Sequence, residues 1–192
     1  MQIKSFLRNA VLGLAVLAGA ALVIQSSGCY SHSVSFNAAH LPARIVADTN
    51  STRTIDLLKV SLPTPPAAWQ KAPLKHTSMY SQEEWYGPSH HTGLGVVYVH
   101  MPLPMPTGTL VWLAKQQYAK HQDGGQMTKQ WTDDAGRNWF EAVSKTYHAT
   151  GYVIADGTDA WIAYCGYRTQ FARQDDELAL AQHSMDALRP TK

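Results

Sequence analysis

The sequence predicts an α+β domain: an antiparallel sheet of about six or seven strands packed with two helices. Three observations carry this. Stretches of period-two alternation recur through the second half of the chain and are separated by turn residues such as Asp133-Asp134-Ala135-Gly136 and Asp156-Gly157. Helical spacing occurs after Thr107 and again after Asp175. Few positions ask for the long crossover that joins parallel strands.

The first 28 residues precede this domain. Lys4 and Arg8 charge the start, Ala10 to Ile24 is an apolar run, and Gln25-Ser26-Ser27-Gly28 is small and polar. A charged start, a short apolar stretch and small residues at the cut define a secretory signal. A spanning helix needs about 20 apolar residues, more than this run holds. Cys29 directly after Gly28 resembles the cleavage site of bacterial lipoproteins, although Ser26 stands where those signals usually carry an aliphatic residue. The expectation is an exported protein of the cell envelope, held to a membrane through lipid on Cys29 and facing the periplasm or exterior. No further cofactor is expected.

The chain has 16 basic and 14 acidic residues; Lys4 and Arg8 fall in the signal, which holds no acid, so the remainder is formally neutral. With no basic block, nucleic acid is an unlikely partner by charge, since its binding rests on clustered Lys and Arg. Residues 29–53, rich in Ser, Ala, Asn, Thr and His, read as the lipid attachment and a flexible tether. Residues 54–192 suit one domain. With Cys29 lipidated, Cys165 has no partner for a disulfide.

Thr54 to Leu62 reads as a strand that stops at Pro63-Thr64-Pro65-Pro66. Leu74 to Tyr80 is a weaker strand, and Ser81 to Gly93 a long loop. Leu94 to Met101 is a stronger strand, with Leu94, Val96 and Tyr98 on one face and Val97 and Val99 on the other, which suggests a central position. Thr107 or Thr109 can cap a helix whose stripe is Leu110, Leu113, Ala114, Gln117 and Tyr118, closed by Gly124-Gly125. Strands follow at Gln126–Thr132, Asn138–His148, Tyr152–Ala155 and Ala160–Arg168. On the last, Trp161, Ala163, Cys165 and Tyr167 alternate with Ile162, Tyr164 and Gly166. The final helix starts at Asp175-Asp176-Glu177, which favour the positive end of the helix dipole. It buries Leu178, Ala181, Met185 and Leu188, and Pro190 lies past its end.

Gly136-Arg137-Asn138-Trp139-Phe140-Glu141 opening a long strand, Asp156-Gly157-Thr158-Asp159-Ala160-Trp161-Ile162-Ala163-Tyr164 after a hairpin, and a last helix ending Ser184-Met185-Asp186-Ala187-Leu188 carry a resemblance. An early strand running into Pro63 and the later Trp69 also fit. Over residues 54–190 the order of elements resembles the PsbP-like fold, including the DcrB-type bacterial envelope lipoproteins. That resemblance implies a non-catalytic binding or assembly module and carries no residue role with it.

For chemistry, nine histidines invite a metal reading. His90 and His91, near Glu83 and Glu84, with His100 one strand further on, are the candidates, since imidazole and carboxylate suit zinc or copper. Adjacent histidines tend to point apart, and the spacings of established zinc motifs are missing, so surface histidines are the plainer reading. Cys165 sits in an apolar alternating strand, which suits a core residue better than a nucleophile. Asp133-Asp134 and Asp175-Asp176 sit where a turn and a helix start want them. No Gly-x-Ser-x-Gly occurs, and Gly93-Leu94-Gly95 is too short for a nucleotide loop. Trp85 and Tyr86, in the long loop and with Trp69 and Trp131 available on the same side, are the candidate partner-binding residues, because amphipathic aromatics favour interfaces. The expected function is therefore non-enzymatic: a domain that binds or assembles with another envelope component. The alternative is a secreted, histidine-dependent metal carrier or sensor.

Overall fold

A computed structural model describes residues 52–63, 65–121 and 125–191. The signal segment, Cys29, most of the tether, Gly124 and the side chains of Gln117 and Tyr118 lie outside the described residues. The chain forms β1 (Thr52–Ile55), a 3-10 turn (Asp56–Leu58), β2 (Val60–Pro63), β3 (Gln70–Lys71), β4 (Lys75–His76), β5 (Tyr80–Tyr86), β6 (Thr92–His100), α1 (Thr107–His121), β7 (Gln126–Thr132), β8 (Asn138–Val143), β9 (Tyr147–Asp156), β10 (Asp159–Arg168), α2 (Asp175–Asp186) and β11 (Arg189–Pro190). The described residues form an α+β fold with two helices and antiparallel sheets. The larger sheet has eight strands in the order β3-β5-β6-β10-β9-β8-β7, with β4 also paired to β5; the smaller runs β1-β2-β11.

The large sheet is buried on both faces, as the two-sided apolar pattern of β6 requires. On one face Leu94, Val96, Tyr98, Trp161, Ala163, Cys165 and Tyr167 pack with Leu58 of the 3-10 turn, with Val60 and Leu62 of β2, with Leu178, Ala181 and Met185 of α2 and with Leu188 just beyond it. On the other, Val97, Val99, Ile162, Tyr164, Phe140 and Val153 pack with Leu110 and Val111 of α1. Two hydrogen bonds lock the first face: Trp161 Nε1 donates to the Leu58 carbonyl at 2.8 Å, and Tyr152 OH to the Met185 carbonyl at 2.6 Å.

Four boundaries differ from the sequence reading. Residues 54–62 form a hairpin arm and a return strand, because Lys59 adopts a left-handed conformation (φ 48°) that reverses the chain. Thr52 and Arg53 already belong to β1, so the domain begins before residue 54. Asn138–His148 is two strands: Ser144 N–H donates to the Tyr147 carbonyl at 2.8 Å and closes a turn, and β9 then extends over ten residues. Residues 81–86 of the supposed loop 81–93 belong to β5, fully paired to β6 from Tyr80↔Val99 to Tyr86↔Gly93, and residues 92–93 to β6 itself. Ser81-Gln82-Glu83-Glu84 has no apolar alternation to betray a strand. It is one nonetheless because each polar side chain finds a partner in the interior.

Candidate functional site

Strand β5 places Trp85 inside the molecule, 2 % exposed, within the cluster beneath α2. The Arg53 guanidinium lies over its ring, 4.9 Å from the centroid. Trp85 is therefore a core residue and is not presented to a partner, which corrects the surface expected from a loop. Tyr86 is half-buried, and its hydroxyl donates to Glu84 Oε2 at 3.1 Å. Trp69 is also core, at 9 % exposed.

The histidine candidates are not brought together. Strand β6 separates His91 from His100 by nine residues, about 30 Å at the usual rise. His90 holds φ 59° in the turn. His91 stacks on Phe171 with ring centroids 3.8 Å apart. His100 Nδ1 lies 2.7 Å from Asp159 Oδ1, where Lys59 Nζ (3.0 Å to Oδ2) and Tyr98 OH (2.8 Å to Oδ1) converge. Burial opposes ionisation of Asp159, yet those hydrogen bonds from His100, Lys59 and Tyr98 hold its carboxyl down at about 2. Among the described residues, no three His, Cys, Asp or Glu side chains gather as a metal site. Cys165 is 1 % exposed, and burial pushes its thiol far above the usual range.

Two adjacent carboxylates on β5 go to opposite faces. Glu83, 2 % exposed, is paired with Arg53 and, at 2.8 Å, with Lys71 Nζ. Glu84 accepts from Tyr164 OH at 2.5 Å as well as from Tyr86, and Gln82 Nε2 donates to the same Tyr164 oxygen at 3.1 Å. Burial raises the Glu84 carboxyl, and the bonds from Tyr164 and Tyr86 offset only part of that rise. Burial likewise drives Tyr164 well above its usual value, helped by the charge of Glu84. These groups partner one another inside the sheet, with Gln82 Oε1 left without a hydrogen bond.

An open concavity lies elsewhere, between α1 and the β7–β8 hairpin. A cleft of about 280 Å³ is lined by Gly108, Val111, Trp112 and Lys115 of α1 and by Gln130, Thr132 and Asn138 of the hairpin, with Trp131 and Trp139 alongside. Trp112 is 56 % exposed and Trp131 44 %. Their positions follow from local pattern. Trp112 falls off the buried Leu110–Val111 side of α1, and Trp131 pairs with Trp139, stacking on it at 5.7 Å on the α2 side of the sheet. The hairpin end is fixed by Asp133, which accepts from Trp139 Nε1 (2.8 Å), Arg137 N (2.9 Å) and Arg137 Nε (2.6 Å). Against the opposing effect of burial, these bonds hold Asp133 at about 2. No atom lies within 4 Å of the place a β-carbon on Gly108 would take, so this wall of the cleft is open.

Sequence reading picked Trp131 as a possible surface aromatic and missed Trp112. The available signal was that Trp112 breaks the register of the helix stripe. The chain matches no protein-family model and no curated protein.

Proposed function

We propose that this chain is a non-enzymatic bacterial envelope lipoprotein, anchored through Cys29, whose PsbP-like domain binds another envelope component in the cleft between α1 and the β7–β8 hairpin. The observation that carries this reading is the exposure of Trp112 and Trp131 beside one concavity. A Trp buries 150–250 Å² when covered, and fold stability gives no reason to leave two of them in water on the two faces of one sheet edge. Pockets that bind combine apolar walls with a few polar groups that orient the ligand, and Lys115, Gln130, Thr132 and Asn138 supply those groups. The element order, with strands before a helix, then a four-strand meander and a closing helix, supports the PsbP-like reading. The mutual pairing of Glu83, Glu84 and Asp159 with protein groups suits structural carboxylates more than catalytic ones.

The test is capture of envelope components by the full chain, its Trp112→Ala variant and its Gly108→Leu variant, which fills the cleft. Retention of a component by the wild type and its loss from both variants is the expected result. Equal retention by all three removes the cleft from consideration. Incorporation of labelled fatty acid into the wild type and its loss in Cys29→Ala tests the anchor.

A further inference from the structure

The large sheet has two unlike edges. One is blunted: β5 is covered by β3 and β4, each only two residues long. The other is β7, seven residues long and, among the described residues, hydrogen-bonded on one side alone, to β8. An edge of that length offers a row of N–H and C=O groups to any extended chain. Its register shift lies between Met127 and Lys129, so the run from Lys129 to Thr132 beside the cleft is regular.

The side chains around that edge form a two-sided pattern. Trp131 and Lys129, paired with Trp139 and Glu141, lie on the α2 side of the sheet; Gln130 and Thr132, paired with Phe140 and Asn138, lie on the α1 side, where Trp112 and Lys115 stand over them. A strand added outside β7 would thus meet one exposed tryptophan and one exposed lysine on each of its two faces. Neither α1 nor β7 contains an Asp or Glu, so Lys115 on the α1 side complements negative charge, while Lys129 on the α2 side is paired with Glu141 of β8 at 2.8 Å.

We infer that the occupant of this site is an extended, acidic peptide segment of a partner protein, which pairs main chain to main chain with β7. Strand addition draws affinity from backbone hydrogen bonds and specificity from alternate side chains. The partner strand carries an acidic residue for Lys115, a second that takes Lys129 over from Glu141, and apolar residues that cover Trp112 and Trp131. Because successive residues point to opposite faces, the favoured pattern is two acidic residues followed by two apolar ones. This inference rests on the cleft being the binding surface, and it adds the chemistry of what enters.

The probe is a fluorescent acetylated peptide, Thr-Glu-Glu-Val-Val-Glu-Glu-Thr, whose symmetric sequence allows docking in either strand direction. Anisotropy is measured with the full chain in detergent. Expected results are binding that weakens about tenfold or more when the glutamates become lysines, in the Lys115→Glu protein, and in the Trp112→Ala protein. A version N-methylated at every residue, which leaves neither edge of the strand a donor, should not bind. Lys115 and Trp112 are exposed, so unchanged melting curves show that the variants remain folded. Equal binding by the N-methylated or lysine peptide overturns strand pairing or the acidic preference. Absence of peptide binding, with an envelope oligosaccharide bound in a Trp112-dependent way, overturns the peptide occupant and leaves the cleft as the binding surface. Absence of both, with no component lost on filling the cleft, overturns the surface itself.

Discussion

The Tyr164 ring occupies the space that a side chain on Gly95 would need: a β-carbon there would fall 2.2 Å from Cζ and 2.4 Å from the hydroxyl oxygen. Glu84, Gly95 and Tyr164 form one cross-strand row on β5, β6 and β10. The missing side chain lets the phenol reach over the middle strand to the carboxyl. Gly95→Ala should therefore overpack the row and break its hydrogen bond. The expected loss is about 2–3 kcal/mol, read from chemical denaturation. A variant as stable as the wild type would show that the ring can move aside.

Glu84 makes the fold sensitive to base. Its folded pKa is raised above 4.5 by burial, so the native state holds this proton more tightly than the unfolded chain does. The carboxyl's penalty is absent below the unfolded value and grows as pH rises through the folded one. Glu84→Gln keeps the shape and removes the charge. The stability difference, variant minus wild type, should increase from pH 4 towards neutrality; parallel stability curves would contradict it.

Asp159 and Asp133 act in the opposite direction. Both are held at about 2 against 3.8 in the unfolded chain. Their contribution is present above the unfolded value and disappears as pH falls through the folded one. Unfolding midpoints should drop between pH 4 and pH 2, less steeply in Asp159→Asn than in the wild type. An equal slope in that variant would show that the Lys59–Tyr98–His100 cluster does not stabilise the carboxylate.

The two tryptophans at issue should separate cleanly. Trp85→Ala removes a buried ring and should cost about 3–5 kcal/mol. Trp112→Ala removes an exposed one and should change stability by less than about 1 kcal/mol. A large loss for Trp112→Ala would place it in the core of the helix packing and end its role as a free surface.

Legibility in the sequence tracked the physics of each element. Strand β10 was readable residue by residue, because Trp161, Ala163, Cys165 and Tyr167 face one apolar layer and Ile162 and Tyr164 another. Helix α2 was readable because its acidic first turn and its Leu178–Ala181–Met185 stripe agree. Strand β5 was not, since Gln82, Glu83 and Glu84 are buried through partners on β1, β3 and β10 that only the fold brings near. A loop in place of β5 puts Trp85 on the surface, whereas the paired strand carries it into the core. The cleft was illegible for a related reason: it joins Gly108 and Trp112 to residues about twenty positions later, and no local period records such a meeting.

The small sheet sets an order on folding. Strand β11 lies beside β2, with Pro190 opposite Val60, and Thr191 N–H donates to the Lys59 carbonyl at 2.8 Å. The partners of Val60 and Leu62 on α2 also come from the last stretch of the chain. A polypeptide delivered from its amino end must therefore carry this first hairpin with one side unpaired until its final residues emerge. Contacts of such long sequence separation are slow to close, and the half-covered apolar face is exposed to wrong partners meanwhile. Removal of residues 188–192 would leave the hairpin permanently in that state, so their loss should be felt at residues 52–63, far away in the sequence.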